Sequence, residues 1–169
     1  MRNDRLFGRD RKVYWPTEFI PEMNLLKGVD EKNQPVSNPL YPFFTGAMVL
    51  AASIGVANGR KREIGASGKQ EIDTSTFASG QQGRLEKFIF LIPLLGNSPL
   101  GLEYLRPENE EELVREFERY AAGGLEMLRG MFSDSAGKSP ELIVEGLLRG
   151  ALKGGSGDEG GSTEKPKLF

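Results

Sequence analysis

The chain has 169 residues, carries 22 Lys and Arg against 24 Asp and Glu for a formal charge of -2, and contains neither Cys nor His. That length fits one domain around one core. The composition excludes thiol and imidazole nucleophiles, disulfides, and the usual zinc and iron ligands, so any catalysis would fall to Asp, Glu, Lys, Arg, Ser, Thr or Tyr.

Charge is unevenly placed. Arg2, Arg5, Arg9, Arg11 and Lys12 outnumber Asp4 and Asp10 at the start, whereas glutamates dominate Glu103 to Arg119, so basic and acidic regions are expected on one molecule. No apolar segment stands directly behind the Arg-rich start, and the longest apolar run, Phe43 to Ala57, is shorter than the ~20 residues a membrane span needs. The chain reads as cytoplasmic.

Residues 1–40 carry Pro16, Pro21, Pro35 and Pro39 among scattered apolar residues, a pattern against continuous helix. They read as an arm, with a short strand or extended segment standing equally beside disorder, that Tyr14, Trp15, Phe19 and Ile20 could pin to the core. The helical domain follows over residues 41–153. Its first helix lies in "YPFFTGAMVLAASIGVANG", with Pro42 near the first turn and Asn58-Gly59 as a left-handed stop. The helix is apolar on nearly every side and is expected at the centre, with Ala47, Ala51, Gly55 and Gly59 as a narrow ridge for close packing. A small strand pair is admitted around Lys61 to Thr76.

The second helix has Asp73, Thr74 or Ser75 as a start signal, with Gly80 and Gly83 able to delay it to about Gln81, turns Leu85, Phe88, Ile89, Ile92 and Leu95 to one face, and is kinked or ended at Pro93. The third begins at Pro107 with glutamates in its first turn and an apolar face of Leu113, Phe117, Ala121 and Leu128, supported by Val114, Tyr120 and Leu125. Gly123-Gly124 either divides this helix or permits very close packing. The fourth starts at Ser139-Pro140 and is expected to bury Leu142, Ile143, Leu147 and either Leu148 or Ala151. Residues 154–169 read as a disordered Gly/Ser-rich tail with an apolar tip, Leu168-Phe169. The fold class is therefore mainly α, a bundle of about four to five helices.

The stretch "VANGRKREIGASGKQEID" contains Gly68-Lys69 but fails as a phosphate loop: Glu63 stands where the first glycine belongs and Gln70 where the hydroxyl belongs. Its cations remain candidates. Arg60, Lys61, Arg62 and Lys69, with Arg9, Arg11 and Lys12 of the arm, could meet DNA phosphates or an acidic partner surface, or could simply complement a helix C-terminus. The acidic cluster Glu108, Glu110, Glu111, Glu112, Glu116 and Glu118 interleaves with Arg115 and Arg119 and reads as a solvated face with ion pairs, not as a metal or acid-base site. Leu168 and Phe169 could anchor in a partner's pocket from the flexible tail. No cofactor and no metal is expected.

Three segments carry a family pattern. "FFTGAMVLAASIGVANGRKREI" supplies Phe44, Ala51, Ala52, Ile54, Gly55, Gly59 and Arg60. "FASGQQGRLEKFIFLIPLLGN" follows, and "LVREFERYAAGGLEMLRGMF" supplies Tyr120, Ala121, Gly123, Gly124 and Leu125. Together they resemble the small DNA phosphorothioation-associated proteins, the Dnd system-associated protein four family, over about Pro42 to Phe132. The resemblance implies an accessory factor in a bacterial antiphage or DNA-modification defence system and carries over no catalytic residue. The leading expectation is a non-enzymatic subunit that contacts DNA phosphates or a DNA-acting partner through the basic loop. The alternative is an adaptor that binds a larger nuclease or ATPase subunit through its acidic helix and tail tip, without touching DNA.

Overall fold

A computed structural model describes residues 10–79, 85–96, 101–135 and 137–154. Arg9 and the tail tip, Leu168 and Phe169, lie outside the described residues. The order of elements is β1 (Lys12–Pro16), a 3-10 turn (Thr17–Phe19), α1 (Ile20–Lys27), α2 (Phe44–Ala57), β2 (Lys69–Asp73) and α3 (Thr74–Ala78). There follow α4 (Glu86–Leu94), two 3-10 turns (Leu102–Leu105 and Pro107–Asn109), α5 (Glu110–Asp134) and α6 (Pro140–Gly154). The architecture is mainly α with one small antiparallel strand pair, as expected.

The centre of the molecule is the crossing of α2 and α5. Ala47, Met48, Ala51 and Ala52 of α2 and Leu113, Phe117, Ala121, Leu125 and Leu128 of α5 are fully buried. The small-residue ridge of α2 does what its spacing suggests. Gly124 lies on the Ala51 carbonyl and Gly55 on the Tyr120 carbonyl, so closely that a methyl at either position would overlap the backbone opposite. Of the two readings of Gly123-Gly124, close packing is the one realised, and α5 runs unbroken through both. Each mid-helix glycine costs about 1 kcal/mol relative to alanine; the burial gained where two backbones touch offsets it.

The arm folds more than its prolines suggest. Pro21 opens α1, where the missing N–H would have no helical partner anyway, and Gly28 at φ 70 closes it. Val13, Phe19, Met23 and Leu26 are fully buried, and Trp15 nearly so, its ring edge on Phe44. The strand pair joins the arm to the stretch expected to hold a strand: β1 runs antiparallel to β2, from Lys12 opposite Asp73 to Pro16 opposite Lys69. A two-stranded ribbon is marginal alone, and this one lies against α5.

Two apolar faces need correction. In α4, Ile89 and Ile92 reach the core as expected, but Leu95 is 74% exposed because the helix ends at Leu94 and the chain leaves that face. In α6, Ile143 and Val144 are buried and Leu147 packs partly on the core, whereas Leu142 and Leu148 face solvent. Among the described residues the helix packs mainly on α5, and beside it Ala57 and Asn58 at the end of α2 line a cleft with Leu142, Ile143 and Leu147. Among the described residues no helix is long and apolar enough to cross a membrane.

Candidate functional site

The basic loop leaves α2 through Asn58 and Gly59, the latter at φ 61, and then turns back along α5, where the Arg62 N–H donates to the Arg119 carbonyl at 3.0 Å. This route separates its three cations. Arg60 is exposed and makes no ion pair among the described residues. Lys61 Nζ lies 2.8 Å from Glu116 Oε2 and 4.8 Å from the centre of the Tyr120 ring. Burial, the largest single effect, works against its charge, but the Glu116 carboxylate and Tyr120 together outweigh it and raise its pKa. Arg62 pairs with Glu18 at 2.5 Å and Glu126 at 3.3 Å and stacks over Phe19.

Beyond Phe19 a second arginine completes a clamp that no sequence pattern announced. Arg129 of α5 binds Glu22 at 2.8 Å and Glu18 at 3.1 Å, also donates to the Glu18 carbonyl, and lies 4.3 Å from the Phe19 ring centre. Phe19 thus packs between two guanidinium groups, each fixed by carboxylates. The Glu22 and Glu18 carboxylates raise the Arg129 pKa against the opposing effect of burial. The clamp holds the start of α1 to α5.

Lys69, Arg11 and Lys12 come together elsewhere, around a cleft of about 710 Å³. Asp10, Arg11, Lys12 and Tyr14 form one wall; Glu63, Ile64 and Lys69 border it from the loop and β2; Glu111, Val114, Arg115, Glu118 and Arg119 of α5 form the other. Most of its charges are committed. Arg11 reaches Glu110 at 3.2 Å, and Lys12 holds Asp73 at 2.7 Å and Glu71 at 3.0 Å, which raise its pKa, Asp73 most. Arg115 spans Glu111 and Glu112, while Arg119 binds Glu63 and Glu116, both at 2.8 Å. Asp10 takes the Ser75 N–H at 3.1 Å and the hydroxyls of Thr74 and Ser75, so it caps α3 from the arm. Lys69 makes no ion pair among the described residues; its Nζ rests 3.9 Å from the centre of the Tyr14 ring.

The acidic helix is only partly the solvated face expected. Glu111, Glu112 and Glu116 form the anticipated pairs one turn away, and among the described residues no three carboxylates form a metal-binding group. Glu110, Glu116 and Glu118, however, are buried. The arm meets two of them, Arg11 pairing with Glu110 and Glu118 Oε1 accepting the Tyr14 N–H at 2.7 Å, while Glu116 is held by Lys61 of the loop and by Arg119. Burial pushes the Glu118 carboxyl up to about 7, against the opposing pull of the Tyr14 N–H and of Lys69, Arg115 and Arg119. The signal was present in the sequence. Glu118 stands at helical spacing between Val114 and the pair Ala121 and Leu125, inside the apolar stripe.

Residues 23–159 match the protein-family model described as DNA sulphur modification system-associated protein 4. Among curated proteins and among solved structures, nothing matches the chain. The match takes in α2 to α6 and both halves of the glycine-mediated crossing. The chain belongs to the DNA sulphur modification system-associated protein 4 family.

Proposed function

We propose that the chain is a non-enzymatic accessory subunit of a DNA sulphur modification system and that it works by binding a protein partner, a larger nuclease or ATPase subunit. The observation that carries this reading is the self-neutralisation of the basic surface. Of the arm and loop cations within the described residues, Arg11, Lys12, Lys61 and Arg62 each end on a carboxylate of the chain itself. A phosphate backbone would have to displace those carboxylates one by one, and affinity for DNA comes from cations free to release counterions. A surface of alternating, paired charge suits a protein interface instead, where complementary rim charges set register and partner choice. A composition without Cys or His supports the non-enzymatic part.

A second reading, direct DNA contact, rests on Arg60 and Lys69, which lack ion pairs among the described residues. Two phosphate contacts predict a salt slope of only about two in log-log form. The test joins both. The full chain is co-expressed with the subunits encoded beside it and resolved by size exclusion, and the free chain is titrated onto duplex DNA at several salt concentrations. A stable complex with one subunit and weak DNA binding, unchanged in the triple variant Arg60→Ala/Lys61→Ala/Arg62→Ala, is expected. Tight DNA binding that the triple variant abolishes would replace the partner reading with the DNA one.

A further inference from the structure

A second cleft lies beside α6, away from the charged one. It holds about 760 Å³, with Leu142, Ile143 and Leu147 of α6 on one side and Ala57, Asn58 and Met131 of the ends of α2 and α5 on the other. Its lining is apolar: no carboxylate contributes, and its one charged residue is Lys138. Leu142 is 58% exposed. Gly146 and Gly150 line the same cleft, and a Cβ built on either meets nothing within 4 Å. Glycine inside a helix weakens it. Gly55, Gly123 and Gly124 repay that weakness by touching the backbone of another element, whereas these two face open space. A cleft of this size and character is suited to apolar side chains.

The chain itself carries an apolar segment within reach. α6 ends at Gly154, one turn beyond Gly150, and residues 155–169 follow, in which Leu168 and Phe169 are the large apolar side chains. From Gly154 back to Leu142 is twelve residues of helix, about 18 Å at ~1.5 Å per residue. Leu168 stands fourteen residues beyond Gly154, and a Gly/Ser-rich chain of that length has a root-mean-square span of about 20 Å. The two lengths agree. A tether whose span matches the distance to be bridged gives its end the highest effective concentration at the far site.

We propose that Leu168 and Phe169 seat in this cleft of their own chain, so that the segment after α6 folds back along the helix over Gly146 and Gly150. The open glycines leave room for the returning main chain to lie close against α6, and the leucine and the aromatic ring cover the apolar walls, where large side chains gain most from burial. The seat withholds the tip from every other protein. A partner that takes the tip, or the cleft, must first displace one from the other, whatever that partner is.

The chain has no Cys, so Thr163→Cys places a single nitroxide near the tip of the ¹⁵N-labelled full chain. The amides of Ala57, Asn58 and Met131, which face α6 across the cleft, are expected to lose most of their intensity to the nitroxide. They should regain it in Leu168→Asp/Phe169→Asp and, from the cleft side, in Leu142→Asp, an exposed position; unmoved α2 and α5 resonances certify the fold in both. Broadening confined to the last turn of α6, or unchanged by the charged tip, is what a tether alone produces and would overturn the seat. A mixture of ¹⁵N chain without nitroxide and unlabelled chain with it separates the copies. Broadening at Ala57 and Asn58 in that mixture gives the cleft to the tip of a second copy and overturns closure within one chain. Shifts at Ala57 and Leu147 on adding a neighbouring subunit, in a chain whose own tail broadens nothing, give the cleft to that partner and overturn it likewise.

Discussion

Replacing Glu118 by glutamine should stabilise the protein at alkaline pH and leave it unchanged in acid. The carboxyl is raised from 4.5 to about 7 in the fold, so the protonated form fits the folded chain better than the ionised form does. The stability this confers is fully present below pH 4.5 and is lost as pH rises through about 7. At ~1.4 kcal/mol per unit of pKa, the gap, which already includes the pull of the nearby cations, is worth about 3 kcal/mol, the difference expected at pH 8. Glutamine carries no charge and keeps an oxygen for the Tyr14 N–H. Urea melts of wild type and Glu118→Gln at pH 4, 5, 6, 7 and 8 should therefore diverge from about pH 4.5 upward, with the variant ahead, and the gap should level off above about 7. Other carboxylates titrate alike in both proteins and cancel in the difference. Equal stability at pH 8, or a variant less stable than wild type there, would refute the placement of an under-solvated carboxylate beneath the arm.

Gly124→Ala drives a methyl into the Ala51 carbonyl at the helix crossing; backbone cannot rotate aside as a side chain does, so a loss of about 3 kcal/mol is expected in thermal or urea unfolding. Phe19→Ala removes a fully buried ring held between Arg62 and Arg129 and should cost about 3–5 kcal/mol, read in the same melts. Arg129→Met keeps much of the aliphatic packing but strands Glu22, which is 8% exposed; the expected loss is about 1–3 kcal/mol, read in the same melts. Arg60→Ala, at an exposed residue without an ion pair among the described residues, should leave stability within about 0.5 kcal/mol of wild type.

Local pattern carried the helical core well. The apolar run ending in Asn58-Gly59, the four-residue ridge of α2 and the stripe from Leu113 to Leu128 all predict what they form, because each is a periodicity within one element. What could not be read is what depends on a distant partner. The prolines of the arm hid α1, since Pro21 as a helix opener and Pro21 as a breaker look alike without knowing what Met23 and Leu26 pack on. A strand in the arm and a strand near β2 were each legible as a possibility; that they pair with one another, and not within Lys61 to Thr76, was not, because pairing Lys12 with Asp73 leaves no mark in either segment. The same distance concealed the site. Arg60, Lys61 and Arg62 read as one patch in sequence, yet the loop's turn along α5 sends them to solvent, to Glu116 and to Glu18. Glu118 stood at a core spacing, but its burial follows only once β1 is laid over α5.

The pairing of β1 with β2 also orders events in time. The strand nearest the N-terminus has nothing to hold it until the loop after α2 has returned and Glu118 of α5 is in place to take the Tyr14 N–H. Of the two described strands, β1 leaves the ribosome before its mate, and a two-stranded ribbon joined across so long a stretch of chain depends on the helices that support it. Trp15 lies in that strand, is the only tryptophan in the chain, and is 3% exposed when folded. Its fluorescence therefore reports directly on whether the arm is closed.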